Sequence, residues 1–297
     1  MTVRIRLLGQ VCIEQDGQPP TDLPAKALDL LCSLLLRRDR THTRDELSAM
    51  LWPDTSTTAA RKYLRQTLWQ LQSALTADLL LLRRGWVGID AGADWWLDVD
   101  TFERAWEASR EVPGTDMTST QAHELEEAVA LYRGSLMEGS YSDWCIYERD
   151  RLQLTYLAML DKLMGYCDAH HRYPQGVAYG HRILRHDPAR EITHQRLMRL
   201  HYRAGDRTTA LRQYERCARA LERELGLAPA AGTIALRDQI RAGRHLDPAV
   251  RLIEGGGGLL VDLHNRLDQV QESLSALRQH VARVVISDPV DAWTDGT

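Results

Sequence analysis

A chain of 297 residues, 44% hydrophobic and 26% charged, has the composition of a soluble globular protein of about two domains, and its formal charge of -4 excludes a globally basic coat for nucleic acid. The start MTVRIRLLGQ lacks an apolar stretch of signal-peptide length, and the longest apolar run, residues 79–82, cannot span a bilayer, so no membrane association and a cytoplasmic location are expected. Five cysteines, odd in number, scattered and never in a CxxC pair, exclude a disulfide scaffold and fit reduced, mostly buried thiols.

In chain order, Val3, Ile5 and Leu7 alternate with Arg4, Arg6 and Leu8, Val11 and Ile13 follow Gly9, and Asp16-Gly17 is a hairpin signal. Residues 1–24 therefore read as short antiparallel strands. Ala27, Leu28, Leu31, Leu34 and Leu35 predict a first helix over residues 25–38. Thr43-Arg44-Asp45-Glu46 is a capping box for a second helix that buries Leu47, Met50 and Leu51 and stops at Trp52-Pro53. Residues 79–83 and 86–90 flank Arg84-Gly85, a hairpin whose tip carries Arg83 and Arg84.

Between them, residues 57–75 hold a helix with two chemically distinct faces. Ala60, Leu64, Leu68, Leu71 and Leu75 form the buried stripe. Lys62, Arg65, Gln66 and Trp69 lie opposite, with Arg61 on the flank, and no Asp or Glu occurs over residues 55–77 of this acidic chain. Arg and Lys suit guanine and phosphate, and Gln can read adenine. A solvated surface helix would carry the same residue types, but strands, three helices and a basic hairpin in this order make a winged helix-turn-helix, whose third helix enters the major groove while the wing touches the backbone. The expected partner is double-stranded DNA.

Beyond Trp95 the pattern is helical, with helices expected over residues 98–111, 121–136 and 146–170 and no strand signal before the C-terminus. An internal repeat with an offset of 34 relates Arg172 to Asp206, Val177 to Leu211, Ile183 to Cys217 and Pro188 to Glu222. That is the tetratricopeptide period, and Ala204-Gly205-Asp206, Ala210 and Tyr214 fit its small and aromatic positions. Stacked helix pairs of this kind offer a surface to protein segments.

The start RIRLLGQV, the segments DELSAMLWPD, AARKYLRQTLWQLQSAL, LDVDTFERAW and LYRGSLMEGSYSDWCIYERDRL, and the block HYRAGDRTTALRQYERCARALERELGLAP together resemble the Streptomyces antibiotic regulatory protein family, collinearly over about residues 3–243. The resemblance implies an OmpR-like winged helix followed by a tetratricopeptide-like bacterial transcriptional activator domain. It further implies an activator that binds tandem promoter repeats and recruits RNA polymerase. Carried across, it gives Arg61, Lys62, Arg65, Gln66 and Trp69 to DNA and Arg83 and Arg84 to the wing. Family members usually hold a small residue at the position of Trp69, which here meets a thymine methyl or sugar or else packs on the wing. Packing on the wing is the expectation. In related winged helices the connection before the third helix presents a loop to polymerase, which makes Asp54 the candidate contact, while Trp52 ends its helix and plugs the core.

No catalytic constellation is evident and no cofactor is expected. Gly255 to Gly258 lacks the Lys and Ser/Thr of a phosphate loop and reads as a linker, and no nucleophile turn occurs. Cys167 and His171 at i, i+4 beside His170 supply only two ligands on one face, so no metal is expected. After the glycines, Leu260, Leu263, Leu267, Val270, Leu274, Leu277, Val281 and Val284 form a heptad seam that predicts a coiled coil and a homo-oligomer, with a dimer as the prior. The expected fold is thus an α+β winged helix-turn-helix domain (1–95), an all-α tetratricopeptide-like domain (96–243), a Gly-rich linker (244–258), a C-terminal coiled-coil helix (259–286) and a disordered tail (287–297). The competing function is a protein-interaction scaffold whose winged helix serves docking or dimerisation. The operator and any effector of the helical domain are not legible.

Overall fold

The computed structural model describes residues 2–19, 23–75, 79–140 and 142–244. The expected linker, heptad seam and C-terminal tail lie outside the described residues, apart from Arg244. The chain is mostly helical, with a small N-terminal sheet region and a tetratricopeptide-like helical unit.

Strands β1 (Val3–Arg6) and β2 (Cys12–Gln15) pair antiparallel, with Ile5 opposite Ile13. Asp16 and Gly17 do adopt the positive φ angles of a hairpin turn, 47° and 79°, but that turn closes only the single bridge between Gln15 and Gln18. The third strand of this sheet is β6 (Trp95–Leu97), parallel to β1, where the sequence shows no strand signal. Three residues are too few for a legible alternation, and its pairing partner is some ninety positions away.

Helix α1 (Ala25–Leu36) buries Ala27, Leu30, Leu31, Leu34 and Leu35. It is followed by β3 (His42–Thr43), α2 (Arg44–Leu51), α3 (Thr57–Ala74) and the antiparallel pair β4 (Leu80–Arg83) and β5 (Trp86–Ile89), with β3 on the outer edge of β5. Thr43 caps α2 by accepting the Glu46 N–H at 3.1 Å. The reciprocal half of the expected box gives way to charge: the Glu46 carboxylate bonds Arg40 at 3.2 Å and His42 at 3.4 Å.

The helical part comprises α4 (Asp98–Ser109), α5 (Ser119–Leu131), α6 (Ile146–Ala169), α7 (Tyr173–His186), α8 (Glu191–Arg203), α9 (Arg207–Leu225) and α10 (Ala231–Arg241). Helix α5 stops at Leu131, five residues before the expected end. The following residues leave the helix to pair with the loop after β1: Arg133 N–H donates to Leu8 O, Gly9 N–H to Ser135 O, Met137 N–H to Leu7 O and Glu138 N–H to Gly9 O, at 2.8 to 3.3 Å. Helix periodicity continues through Leu136, which is itself buried, so apolar spacing alone could not mark the exit.

The same junction is held by side chains. Asp98, 1% exposed, accepts the N–H groups of Leu7, Leu8 and its neighbour Val99 at 2.8 to 2.9 Å. Arg38, just past α1, bonds Asp100 and Glu103 of α4 at 2.8 and 2.9 Å, and Arg151 of α6 bonds Glu103 at 2.5 Å and Glu148 at 2.9 Å. Beneath these contacts one hydrophobic core runs from Val3, Ile5 and Leu7 through Leu31, Phe102 and Leu160 to Leu197 and Leu200. A smaller cluster of Met198, Ala210, Leu236 and Ile240 closes the far end.

The 34-residue repeat holds for the start and middle of the first helix of each pair and fails at its end, which shifts the second helix. Helices α7 and α9 begin 34 residues apart, Asp206 caps α9 at Thr209 N–H (2.9 Å), and Ile183 and Cys217 are both fully buried. Pro188 lies in a turn whereas Glu222 is still helical, because α9 runs on to a left-handed cap at Gly226 (φ 66°), with Leu227 N–H closing on Leu221 O.

Candidate nucleic-acid interface

Helix α3 takes its orientation from its apolar stripe. Ala60, Leu64, Thr67, Leu68 and Leu71 are buried against α1 and α2, and Leu75, which caps the helix, is buried as well. That burial turns Arg61, Lys62, Arg65, Gln66 and Trp69 to solvent, and all five are exposed. Trp69 is 66% exposed, so it does not pack on the hairpin as expected from its size. The stripe fixes the helix rotation, and at that rotation the indole faces solvent. Trp52 behaves as read: it caps α2, stacks obliquely on Tyr63 with ring centroids 6.0 Å apart and lies against the core. Asp54 is exposed in the turn between α2 and α3.

The hairpin is tied to the same surface. Gly85 turns at φ 83°, a conformation that favours glycine, and its carbonyl accepts the Arg44 N–H at 3.1 Å, fastening the tip to the start of α2. Arg83 pairs across the hairpin with Trp86; both are exposed, as is Arg84. A cleft of about 310 Å³, lined by Thr43, Arg44, Asp45, Arg61, Leu64, Arg65 and Gly85, joins the hairpin tip, the α2 start and the α3 face.

One acid does enter this acid-poor face, from another element. Asp45 holds Arg61 in a two-pronged pair, with Arg61 Nε and Nη2 at 2.7 and 2.9 Å from the two carboxylate oxygens. The guanidinium holds the Asp45 carboxyl below the usual carboxylate range. In the sequence Asp45 reads simply as a first-turn acid of α2. Arg44 and Trp86 were likewise unread, since each looks in isolation like an ordinary helix or strand residue.

The other sequence candidates are dispersed. His170 Nδ1 lies 3.0 Å from Tyr166 O, and His171 Nδ1 lies 2.7 Å from Tyr173 Oη. Cys167 is buried beneath them, its thiol pushed up to about 11 by desolvation. Among the described residues no group of three or more His, Cys, Asp or Glu is placed to hold a metal ion, and no helix is long and apolar enough to cross a membrane.

The helical unit from Leu97 onward, on which this surface is mounted, defines the class: residues 97–241 match the family described as bacterial transcriptional activator domain. Regulatory protein AfsR of Streptomyces coelicolor is 25% identical over 248 residues, which cover 84% of this chain and 25% of that protein. The chain thus spans a quarter of the length of the curated relative it matches. The structure titled Mycobacterium tuberculosis EmbR in complex with low affinity phosphopeptide shares the fold, with a TM-score of 0.62 and 18% identity over 90% of this chain and 71% of that one. The family match concerns the helical unit, residues 97–241, and the structural likeness concerns the fold.

Proposed function

We propose that the chain is a sequence-specific transcriptional activator whose N-terminal unit is a winged helix. The observation that carries this reading is the exposed face of α3: Lys62, Arg65, Gln66 and Trp69 project together, beside a hairpin that presents Arg83 and Arg84. In the proposed complex α3 lies in the major groove, with Arg65 and Gln66 reading base edges, Lys62 and Arg61 meeting phosphates, Trp69 contacting a thymine methyl or sugar, and the hairpin resting on the adjacent backbone. Asp54 is the candidate contact to RNA polymerase.

The heptad seam from Leu260 to Val284 would join two copies, and Gly255 to Gly258 would uncouple that pairing from the geometry of the two half-sites. Selection of bound sequences from a random duplex pool tests the reading. A repeated motif should be enriched by the full-length chain, and truncation before Gly255 should lower affinity for the repeat while leaving a single element bound as before. A pool that stays random after several rounds would contradict sequence reading.

A further inference from the structure

The C-terminal helix pairs carry a charge opposite to that of the chain. Residues 172–244 hold fifteen Arg, no Lys and seven Asp or Glu, an excess of eight positive charges in a protein of net charge -4. Part of that excess is neutralised where α8 packs beside α6: Arg190 and Arg196 pair with Asp161 at 3.5 and 3.1 Å, and Arg203 pairs with Asp168. These arginines serve the packing of the repeat.

The remainder is segregated on another face. His181 and Arg185, one turn apart on α7, are exposed, and so are Arg212, Arg216 and Arg219, which form a stripe on α9 turned away from its buried Ala210, Cys217 and Leu221. Helix α8 packs against both helices, and His181, His201 of α8 and Arg216 lie within reach of one another's charge. No ion pair joins Arg185, Arg212, Arg216 or Arg219 to a carboxylate of the described residues; Arg216 bonds Gln213 and Arg219 bonds a backbone carbonyl. Acids are not absent from this face: Asp206 caps α9 within reach of the charges of Arg212 and His201, and Glu215 and Glu222 are exposed on α9, where the arginines outnumber them. The Nε2 atom of His201 is buried with no hydrogen-bond partner among the described residues. Burial, with Arg216 and Arg185 nearby, holds His181 below the ordinary imidazole range, and burial holds His201 there against the opposing charge of Asp206.

We infer that the α7–α9 face is a binding surface for an acidic, extended segment of a partner protein, with Arg185, Arg212, Arg216 and Arg219 taking its carboxylates. Guanidinium groups engage carboxylates two-pronged, and stacked helix pairs of this kind present their surface to extended chains. The α7–α9 face is also distinct from the proposed DNA surface, since none of α7–α10 packs extensively on α1–α3 or the β4–β5 hairpin.

The test titrates the full-length chain into labelled oligoglutamate, oligolysine of equal length and random duplex DNA, followed by fluorescence anisotropy. Oligoglutamate should bind in preference to oligolysine and weaken with salt. Arg185→Glu/Arg216→Glu should weaken it roughly tenfold or more, as expected for the loss of two charge-assisted pairs. The equally charged reversal Arg241→Glu/Arg244→Glu, off this face, should leave it nearly unchanged. Thermal melts establish folding, and Arg185→Gln/Arg216→Gln replaces the reversal should the latter unfold. The proposal is overturned if oligoglutamate fails to bind, if both reversals weaken it alike, or if Arg185→Glu/Arg216→Glu chiefly abolishes duplex binding, which would make the face a nucleic-acid surface. Variants of the α3 face report separately on DNA reading, so failure of one proposal is not failure of the other.

Discussion

The carboxylate of Asp98, first residue of α4, accepts the backbone N–H of Leu7 at 2.9 Å across ninety-one positions of sequence. With Leu8 and Val99 also donating, the group ties the end of β1 to the start of the helical unit; burial raises its pKa, and the three amides oppose that rise. Asp98→Ala strands buried amides and should cost about 3 kcal/mol, within the range for unsatisfied buried groups. Chemical denaturation followed by tryptophan fluorescence checks it. A cost below about 0.5 kcal/mol, the level of an ordinary surface change, would show that the junction rests on the apolar core alone.

The helical unit should be acid-labile through His194. This ring is 3% exposed, with Nε2 2.9 Å from Pro188 O and Nδ1 2.8 Å from Gln213 Nε2, an arrangement for a neutral imidazole that donates from Nε2 and accepts at Nδ1. Burial holds its pKa below the ordinary value of 6.5. Below about pH 6.5 the unfolded chain therefore binds a proton that the folded chain refuses, so stability is full above that pH and falls as pH drops toward the folded value. Melting temperature measured from pH 8 to 5 should decline below about 6.5, and His194→Gln should flatten the decline. An equal slope in the variant would assign the effect to other groups.

Asp45 acts on the candidate interface through Arg61. Replacing it by Asn releases the guanidinium and removes a negative charge from the cleft. Affinity for random duplex should then rise and the slope of log K against log salt should steepen by about one. An unchanged slope would mean that freeing Arg61 from Asp45 adds no phosphate contact.

Asp54→Ala should leave DNA affinity untouched, since the residue lies in the turn before α3 and outside its exposed face. In transcription with purified polymerase the variant should lose activation. Full activation would remove this turn from the mechanism.

What was legible in the sequence is what a short stretch decides by itself. The stripe from Ala60 to Leu75 fixed which side chains of α3 face outward, and Arg84-Gly85 fixed the hairpin, because periodicity and turn chemistry act over a few residues. What was not legible depends on distant partners. Strand β6 exists because β1 lies beside it, α5 ends early because residues 133–138 pair with the loop after β1, and Glu46 turns to Arg40 and His42 instead of completing its box. Asp45 belongs to the candidate site only because α2 packs on α3. The exposure of Trp69 was misjudged for a related reason: ring size argues for burial, but the register of the leucines had already spent that helix's buried face.

The central claim, that α3 reads DNA with its exposed face, is tested most directly by Lys62→Ala/Arg65→Ala/Gln66→Ala in an equilibrium binding titration against the selected repeat and against random duplex. The three side chains make no contribution to the core, so the melting temperature should match that of the parent chain. Affinity for the repeat should fall by about 1–3 kcal/mol for each of the base-contacting residues Arg65 and Gln66 lost, while affinity for random duplex should drop only by the phosphate share of Lys62. A folded triple variant that bound the repeat as tightly as the parent would contradict the account.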